Sequence, residues 1–413
     1  MKVNLRLAEK VFTIIALLLF TGAIVPLVRQ SGGAEQSDSD PLLRVIFYGS
    51  YAISLCFLAL HWKGFTRIPS NLDIPVLLLT GVAIFSYHWS AMPGLTFRHN
   101  VGLVGTTIFA VYLGTCYSLK EQLRLLAWAL GIAALLSVIF ALFLPKYGLD
   151  VFPFQGVWRG VYSQKNLLGR FMTVSSLVFL LIALSSQKYR WVAWTGFYLS
   201  AILILLSTSK TSLIVFFTLL ILLPFYRAIR WQYSKSVPLY IIAILLMGCV
   251  AVWVTTEAET LLSALGKDAT LSGRTELWST VIAMIEQHPW LGYGYSGFWS
   301  GLNAFYLREI VGWPAPHAHN GILDLWLDLG LLGVSIFALS FLLTLVKAVT
   351  WVRQAKTWED FWPIIFLTVM LLFNLTQSSI LGRNNIIWVL YVAINVLKPV
   401  QHYRSVKLPI GTT

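Results

Sequence analysis

The chain has 413 residues, 57% of them hydrophobic and 11% charged, and 30 Lys and Arg against 17 Asp and Glu leave a formal net charge of +13. A soluble domain carries about 25% charged residues, so this chain lacks the polar groups to coat a water-facing surface. That balance, with a mean hydropathy of +0.74, excludes a soluble enzyme, a disordered regulator and a secreted disulfide scaffold. The expected fold class is all-α, a polytopic membrane protein of about twelve transmembrane helices. Its positive charge points to cytoplasmic loops and the lipid bilayer, with no nucleic acid as partner.

Apolar runs long enough to cross a bilayer, about 20 residues, are predicted near 11–28, 42–60, 72–89, 97–117, 123–144, 167–186, 191–206, 212–227, 237–256, 320–346, 361–377 and 385–398. Lys2, Arg6 and Lys10 precede the first run and no cleavage pattern follows, so it reads as a retained helix. An even number of spans puts both termini on one side. With the termini inside, the inward segments hold the larger share of Lys and Arg, among them Lys63, Arg67, Lys120, Arg124, Lys188 and Lys347. This is the topology that the positive-inside rule selects.

The resulting organisation is nine helices over 1–256, an outward loop over 257–319, and three helices with an inward tail over 320–413. The loop is the one long extramembrane segment, and loops of that length are usually functional. Leu277, Val281, Met284 and Ile285 recur at helical spacing in it. A second helical stretch is expected over 295–310, and both read as amphipathic segments at the bilayer surface or capping the bundle. Between them, Gly292-Tyr293-Gly294 lacks the strand and the Gly-Lys-Ser/Thr of a phosphate loop and reads as a turn. No nucleotide-hydrolysing signature occurs. Cys56, Cys116 and Cys249 lie in apolar runs without close spacing, giving neither a metal-binding motif nor a disulfide framework.

Outward cations run against the topology rule and call for a reason. Arg98, Arg159, Lys165, Lys210, Arg274 and Arg383 sit in polar motifs pressed against span ends, where ionisable groups usually face a cavity. Trp158-Arg159-Gly160 leads to Ser163-Gln164-Lys165-Asn166. Ser207 to Ser212 interrupts two apolar runs, and Asn384 and Asn385 follow Arg383. Fixed positive charge beside hydroxyl and amide donors suits a diphosphate, and snorkelling at the interface is the alternative use of such residues.

His317 and His319 close the outward loop. Imidazole exchanges protons near neutral pH, so proton transfer or substrate contact is the expected role. The i, i+2 spacing, with no His-Glu-x-x-His pattern, argues against metal ligation, and no metal or cofactor is expected. Asn320, Asp324 and Asp328 then recur at i, i+4 and i+8 as a polar stripe, with the outward cations or the histidines as expected partners for the carboxylates.

Gly273-Arg274-Thr275-Glu276-Leu277-Trp278, Pro289-Trp290-Leu291-Gly292-Tyr293-Gly294 and His319-Asn320-Gly321-Ile322-Leu323 with Gly330 beyond resemble the O-antigen ligase and Wzy-type polysaccharide polymerase superfamily, its exopolysaccharide-polymerisation branch most of all. Ser163-Gln164-Lys165-Asn166 and Ser209-Lys210-Thr211-Ser212-Leu213 resemble it too. The resemblance implies a metal-independent, inverting glycosyltransferase of the GT-C type in the bacterial inner membrane, its active site facing the periplasm. The donor would be an undecaprenyl-diphosphate-linked glycan, and the acceptor a glycan or a lipid A core sugar. Carried over by position, Arg274 would bind the diphosphate and His319 would be the essential histidine. Lys210 stands where the ligases have a second essential arginine, keeping the charge but losing the bidentate fork.

Electrostatic stabilisation of the departing diphosphate should then supply most of the rate. The expected catalytic set is His319, Arg274 and Lys210, with Arg159, Lys165, Asn166, Arg98, His317, Asn320 and Arg383 binding substrate. Trp290, Tyr293 and Trp299 are candidates to stack on sugar rings or to anchor at the interface. The rival expectation is a transporter or flippase of lipid-linked glycans. It is disfavoured by the lack of an internal repeat and by the clustering of polar motifs on one face.

Overall fold

The computed structural model describes residues 2–23, 25–28, 40–62, 74–151, 155–231 and 274–397. Thirteen main helices follow in chain order: α1 (Lys2–Phe20), α2 (Pro41–Trp62), α3 (Ile74–Phe85), α4 (Pro93–Cys116), α5 (Leu119–Phe143), α6 (Lys165–Ser185), α7 (Arg190–Leu206), α8 (Lys210–Ala228), α9 (Arg274–Gln287), α10 (Leu302–Val311), α11 (Gly321–Arg353), α12 (Trp362–Asn374) and α13 (Ile386–Val396). Among the described residues there is no strand, only an isolated bridge between Leu149 and Trp158.

Each expected span has a helix at its place except 237–256, which lies outside the described residues. Five helices, α2, α5, α6, α8 and α11, are long and apolar enough to cross a membrane by length and composition. The chain is thus built as a multi-pass membrane protein. Helix starts are set by local chemistry. Pro93 occupies the first turn of α4, where its missing N–H costs nothing. Ser118 and Glu121 form a reciprocal capping box at α5, and Asn320 caps α11 by accepting from the Ile322 and Leu323 amides, satisfying otherwise orphaned donors.

One large core runs through the bundle, with Trp362, Trp388, Tyr112, Tyr162 and Phe109 fully buried in it. A second, smaller core belongs to the segment that precedes α11. Leu277, Val281 and Ile285 of α9 meet Ala304, Leu307 and Val311 of α10, Tyr293, Phe298 and Leu327. The expected helix over 295–310 starts only at Leu302. Upstream, Ser296 has φ 55°, and Gly297 and Gly301 close turns onto Gly294 and Phe298, so the backbone there is spent on tight turns. Tyr293 is buried with its hydroxyl donated to the Met284 carbonyl at 2.9 Å. It cannot stack on a sugar, whereas Trp290 remains exposed.

Helix α11 is opened at Gly330, whose φ of 65° and ψ of −168° leave the helical region. The freed groups find partners in the 288–293 turn. The Leu331 and Leu332 amides donate to the carbonyls of Pro289 (2.8 Å) and Trp290 (3.2 Å), and the Tyr293 amide donates to the Leu327 carbonyl (2.7 Å). The Trp326 indole adds a 3.0 Å bond to the Pro289 carbonyl. A Cβ at 330 would lie 2.2 Å from the Trp290 backbone, so glycine is required twice over, by φ and by space. On its other side the turn meets the α3–α4 connection, with Ala91 N–H donating to the Tyr293 carbonyl (2.9 Å) and Trp89 Nε1 to that of Leu291 (3.0 Å).

Candidate functional site

The 312–320 loop carries the histidine pair. His319 adopts a left-handed φ of 53°, uncommon for a non-glycine residue. Its backbone N–H donates to Nδ1 of His317 at 3.0 Å, and the two rings lie with centroids 4.1 Å apart. Trp313 lies against His319 at 5.8 Å. The intervening Ala318 holds the loop in place. Its N–H donates to both oxygens of Asp324 (3.0 and 3.2 Å) and its carbonyl accepts from the Trp278 indole (2.8 Å).

Asp324 is therefore the anchor of the loop. It also accepts from the Trp299 indole (2.7 Å) and from the Ser378 hydroxyl, and Ser378 lies 3.5 Å from Nδ1 of His317. Its partners are neutral donors rather than the cations or histidines expected from the sequence, because α11 points it back at the loop that precedes it. Asp328 departs less from expectation. It feels the charge of Arg383 and accepts from the Ser296 amide.

Two arginines address the histidines. The charges of Arg274, at the first described turn of α9, and Arg170, inside α6, reach both rings. Burial first, then the neighbouring His319 and the two guanidinium charges, pushes His317 down to about 3. Burial followed by Arg274 and Arg170 pushes His319 down to about 4. Both imidazoles are thus neutral at physiological pH. Burial also lowers the Arg274 value, although guanidinium stays protonated.

Arg170 was not among the expected site residues. It is buried, lies 5.8 Å over the Phe373 ring, and its Nε has no hydrogen-bond partner among the described residues. The signal available in the sequence was a lone arginine inside an apolar run, a pattern that is functional by default.

The remaining expected residues fall into groups. Lys165 Nζ donates to the Thr208 hydroxyl at 3.4 Å, and its amide donates to Asp150 at 3.3 Å. Gly169 packs where a Cβ would press on Ser207, Ser209 and Ser212. The Ser163–Asn166 and Ser207–Ser212 motifs are thereby brought together, with Asn166 half-buried and Lys210 exposed. Lys165 and Lys210 each open a helix with no acidic residue in its first turn. A cation there opposes the positive end of the helix dipole, an arrangement that favours an anion nearby.

Arg383 borders Gly102 of α4. Arg159 is used within its own loop, donating to the carbonyls of Tyr147 (3.1 Å), Ser163 (3.5 Å) and Lys146 (3.4 Å). Arg98 is exposed and donates to the Gly94 carbonyl of its own helix at 3.2 Å. Asn320 is the α11 cap, with its side-chain oxygen turned to its own helix.

Residues 195–338, which include Lys210, Arg274, both histidines, Asp324 and Gly330, match the family described as O-antigen ligase. The chain is also 27% identical over 297 residues to the exopolysaccharide production protein ExoQ of Rhizobium meliloti. That alignment covers 68% of this chain and 65% of the relative's length.

Proposed function

We propose, on the premise that the chain falls in the O-antigen ligase and Wzy-type polymerase superfamily on its exopolysaccharide side, that it is a membrane glycosyltransferase. It moves a glycan from an undecaprenyl-diphosphate carrier to an acceptor sugar at the periplasmic face, as a polysaccharide polymerase or an O-antigen ligase. The relative's name, an exopolysaccharide production protein, favours the polymer-building form.

The observation that carries this reading is the His317–His319 ring pair, centroids 4.1 Å apart, within electrostatic reach of the Arg274 and Arg170 guanidinium groups. A diphosphate leaves readily once the charge developing on it is matched, and preorganised cations do this without reorganising in the transition state. Arg274 and Arg170 supply that charge beside His319, and Lys165 and Lys210 add theirs at two helix N-termini. A neutral imidazole accepts the proton of an acceptor hydroxyl, so His319 serves as general base, a role worth ~10²–10⁴ in rate. The departing bond is that between the sugar's anomeric carbon and the carrier phosphate oxygen, and the carrier diphosphate leaves with the electron pair. Attack from the opposite face inverts the anomeric centre. The residues need no metal for these steps.

The test is deletion of the gene followed by analysis of the surface glycans. Loss of chain length with repeat units still present identifies a polymerase, and accumulation of full-length carrier-linked polymer identifies a ligase. Surface and carrier-linked glycans identical to those of the parent would overturn the proposal.

A further inference from the structure

A second cluster of chemistry-bearing side chains lies at the far end of the bundle. Glu9 of α1, His61 in the last turn of α2 and Cys116 at the end of α4 present one carboxylate oxygen, one imidazole nitrogen and one sulfur, all within 4.8 Å of one another. Helix α4 starts against the 293–298 turns, whose Tyr293 and Phe298 share a core with Ala318 of the histidine loop, and there the Thr96 hydroxyl donates to the Tyr295 carbonyl at 2.9 Å. It reaches Cys116 about 30 Å further on, at ~1.5 Å per residue. The cluster is thus separate from the candidate transfer site.

Its hydrogen bonds leave ligand atoms of the three side chains close to one another. Nδ1 of His61 is 2.8 Å from the Phe57 carbonyl. A carbonyl only accepts, so Nδ1 carries the proton and the neutral ring has its lone pair on Nε2. That lone pair faces Oε2 of Glu9 at 3.8 Å, too long for a hydrogen bond. It is close to the separation of roughly 3.3–3.5 Å between two ligands that each sit 2.0–2.2 Å from one tetrahedral zinc. Glu9 is buried, and a buried carboxylate calls for a partner charge.

The surrounding groups hold the ligands from behind. The Tyr112 hydroxyl donates to the other Glu9 oxygen at 3.2 Å, and Tyr112 is itself tied to Thr13 at 2.9 Å. The Phe57 carbonyl fixes the tautomer and orientation of His61, as such outer partners do at metal centres.

We propose that Glu9, His61 and Cys116 bind a zinc ion that ties the ends of α1, α2 and α4 together. Mixed oxygen, nitrogen and sulfur ligands suit zinc rather than magnesium or calcium, which prefer all-oxygen sites. Three protein ligands leave the fourth tetrahedral position to water. Binding converts the Cys116 thiol to thiolate, and the released proton goes to solvent.

The test uses the full chain purified in detergent with a tag free of histidine. Zinc content is measured after equilibration with zinc, and absorption after replacement by Co²⁺. Expected are stoichiometric metal and a thiolate-to-cobalt charge-transfer band in the wild type. The band should vanish in Cys116→Ser, and affinity should fall in His61→Ala by more than the ~10–100-fold that loss of an outer-shell partner costs. His61 is exposed at a helix end, so that variant keeps the fold and carries the test if Cys116→Ser is poorly produced. A wild type that binds no more metal than His61→Ala, as a bare Glu9–His61 ion pair would give, overturns the proposal. So does a thiolate band that survives in Cys116→Ser.

Discussion

The backbone N–H of His319 donates to Nδ1 of His317 at 3.0 Å, which makes Nδ1 an acceptor and places the His317 proton on Nε2. The same bond holds His319 in its left-handed conformation. One imidazole therefore sets the backbone that presents the other, and under the proposed function the two histidines would have separate parts: His317 shaping the loop and His319 meeting the acceptor.

His319→Ala and Arg274→Ala are expected to abolish glycan transfer in complementation of a deletion strain while protein levels stay normal. Arg170→Lys should retain more activity than Arg170→Ala, since the ammonium keeps the charge that reaches both rings. Immunoblots of the membrane fraction beside surface-glycan gels check each variant, and full polymer in either alanine variant of His319 or Arg274 would remove them from the machinery.

Lys210 tests whether charge or shape is read at its position. Lys210→Arg should transfer glycan better than Lys210→Ala, because exposure at the start of α8 leaves room for either cation. Equal loss in both would point to shape.

The pH dependence follows from the depressed imidazoles. In the unfolded chain both histidines protonate near pH 6.5, whereas folded His319 and His317 hold out to about 4 and about 3. Between those values the unfolded chain binds more protons, so acidification destabilises the loop and raising the pH above about 6.5 adds nothing further. Under the proposed function, a bound diphosphate would offset the guanidinium charges and move His319 back up. The acid limb of kcat, which reports the substrate complex, should therefore fall at higher pH than that of kcat/KM, which reports the free enzyme. Coincident limbs would argue against an anion beside His319.

Asp324→Asn removes charge-assisted acceptance from Ala318, Trp299 and Ser378. A loss of ~1–3 kcal/mol is expected, read as a lower thermal unfolding temperature together with reduced transfer. Gly330→Ala should be more damaging still, since strain at positive φ, on the order of 1–3 kcal/mol, adds to the clash with Trp290. An unchanged melting profile in either variant would contradict the anchoring described for that residue.

The helical architecture was legible because apolar runs of bilayer length declare themselves. The polar motifs were legible because charge at a span end is anomalous. What the sequence hid was direction. Arg159 belongs to the same kind of motif as Lys165, yet it is used on the carbonyls of its own loop, while Arg170, disguised within an apolar run, reaches the histidines. Asp324 and Asp328 share a helix face, but only the fold turns the first to the preceding loop and sets the second within reach of the Arg383 charge. The Glu9, His61 and Cys116 cluster was invisible to spacing because its members are distant in sequence and meet only when three helices pack.

The opened turn of α11 has a bearing on biogenesis. The segment that fills it, around Pro289 and Trp290, is synthesised before the helix that receives it. Translation thus delivers the plug ahead of the socket, and α11 satisfies its broken ladder only on reaching that waiting turn. Folding of this helix and docking of the 288–293 turn become a single event, in which mistiming either one leaves the Leu331 and Leu332 amides bare.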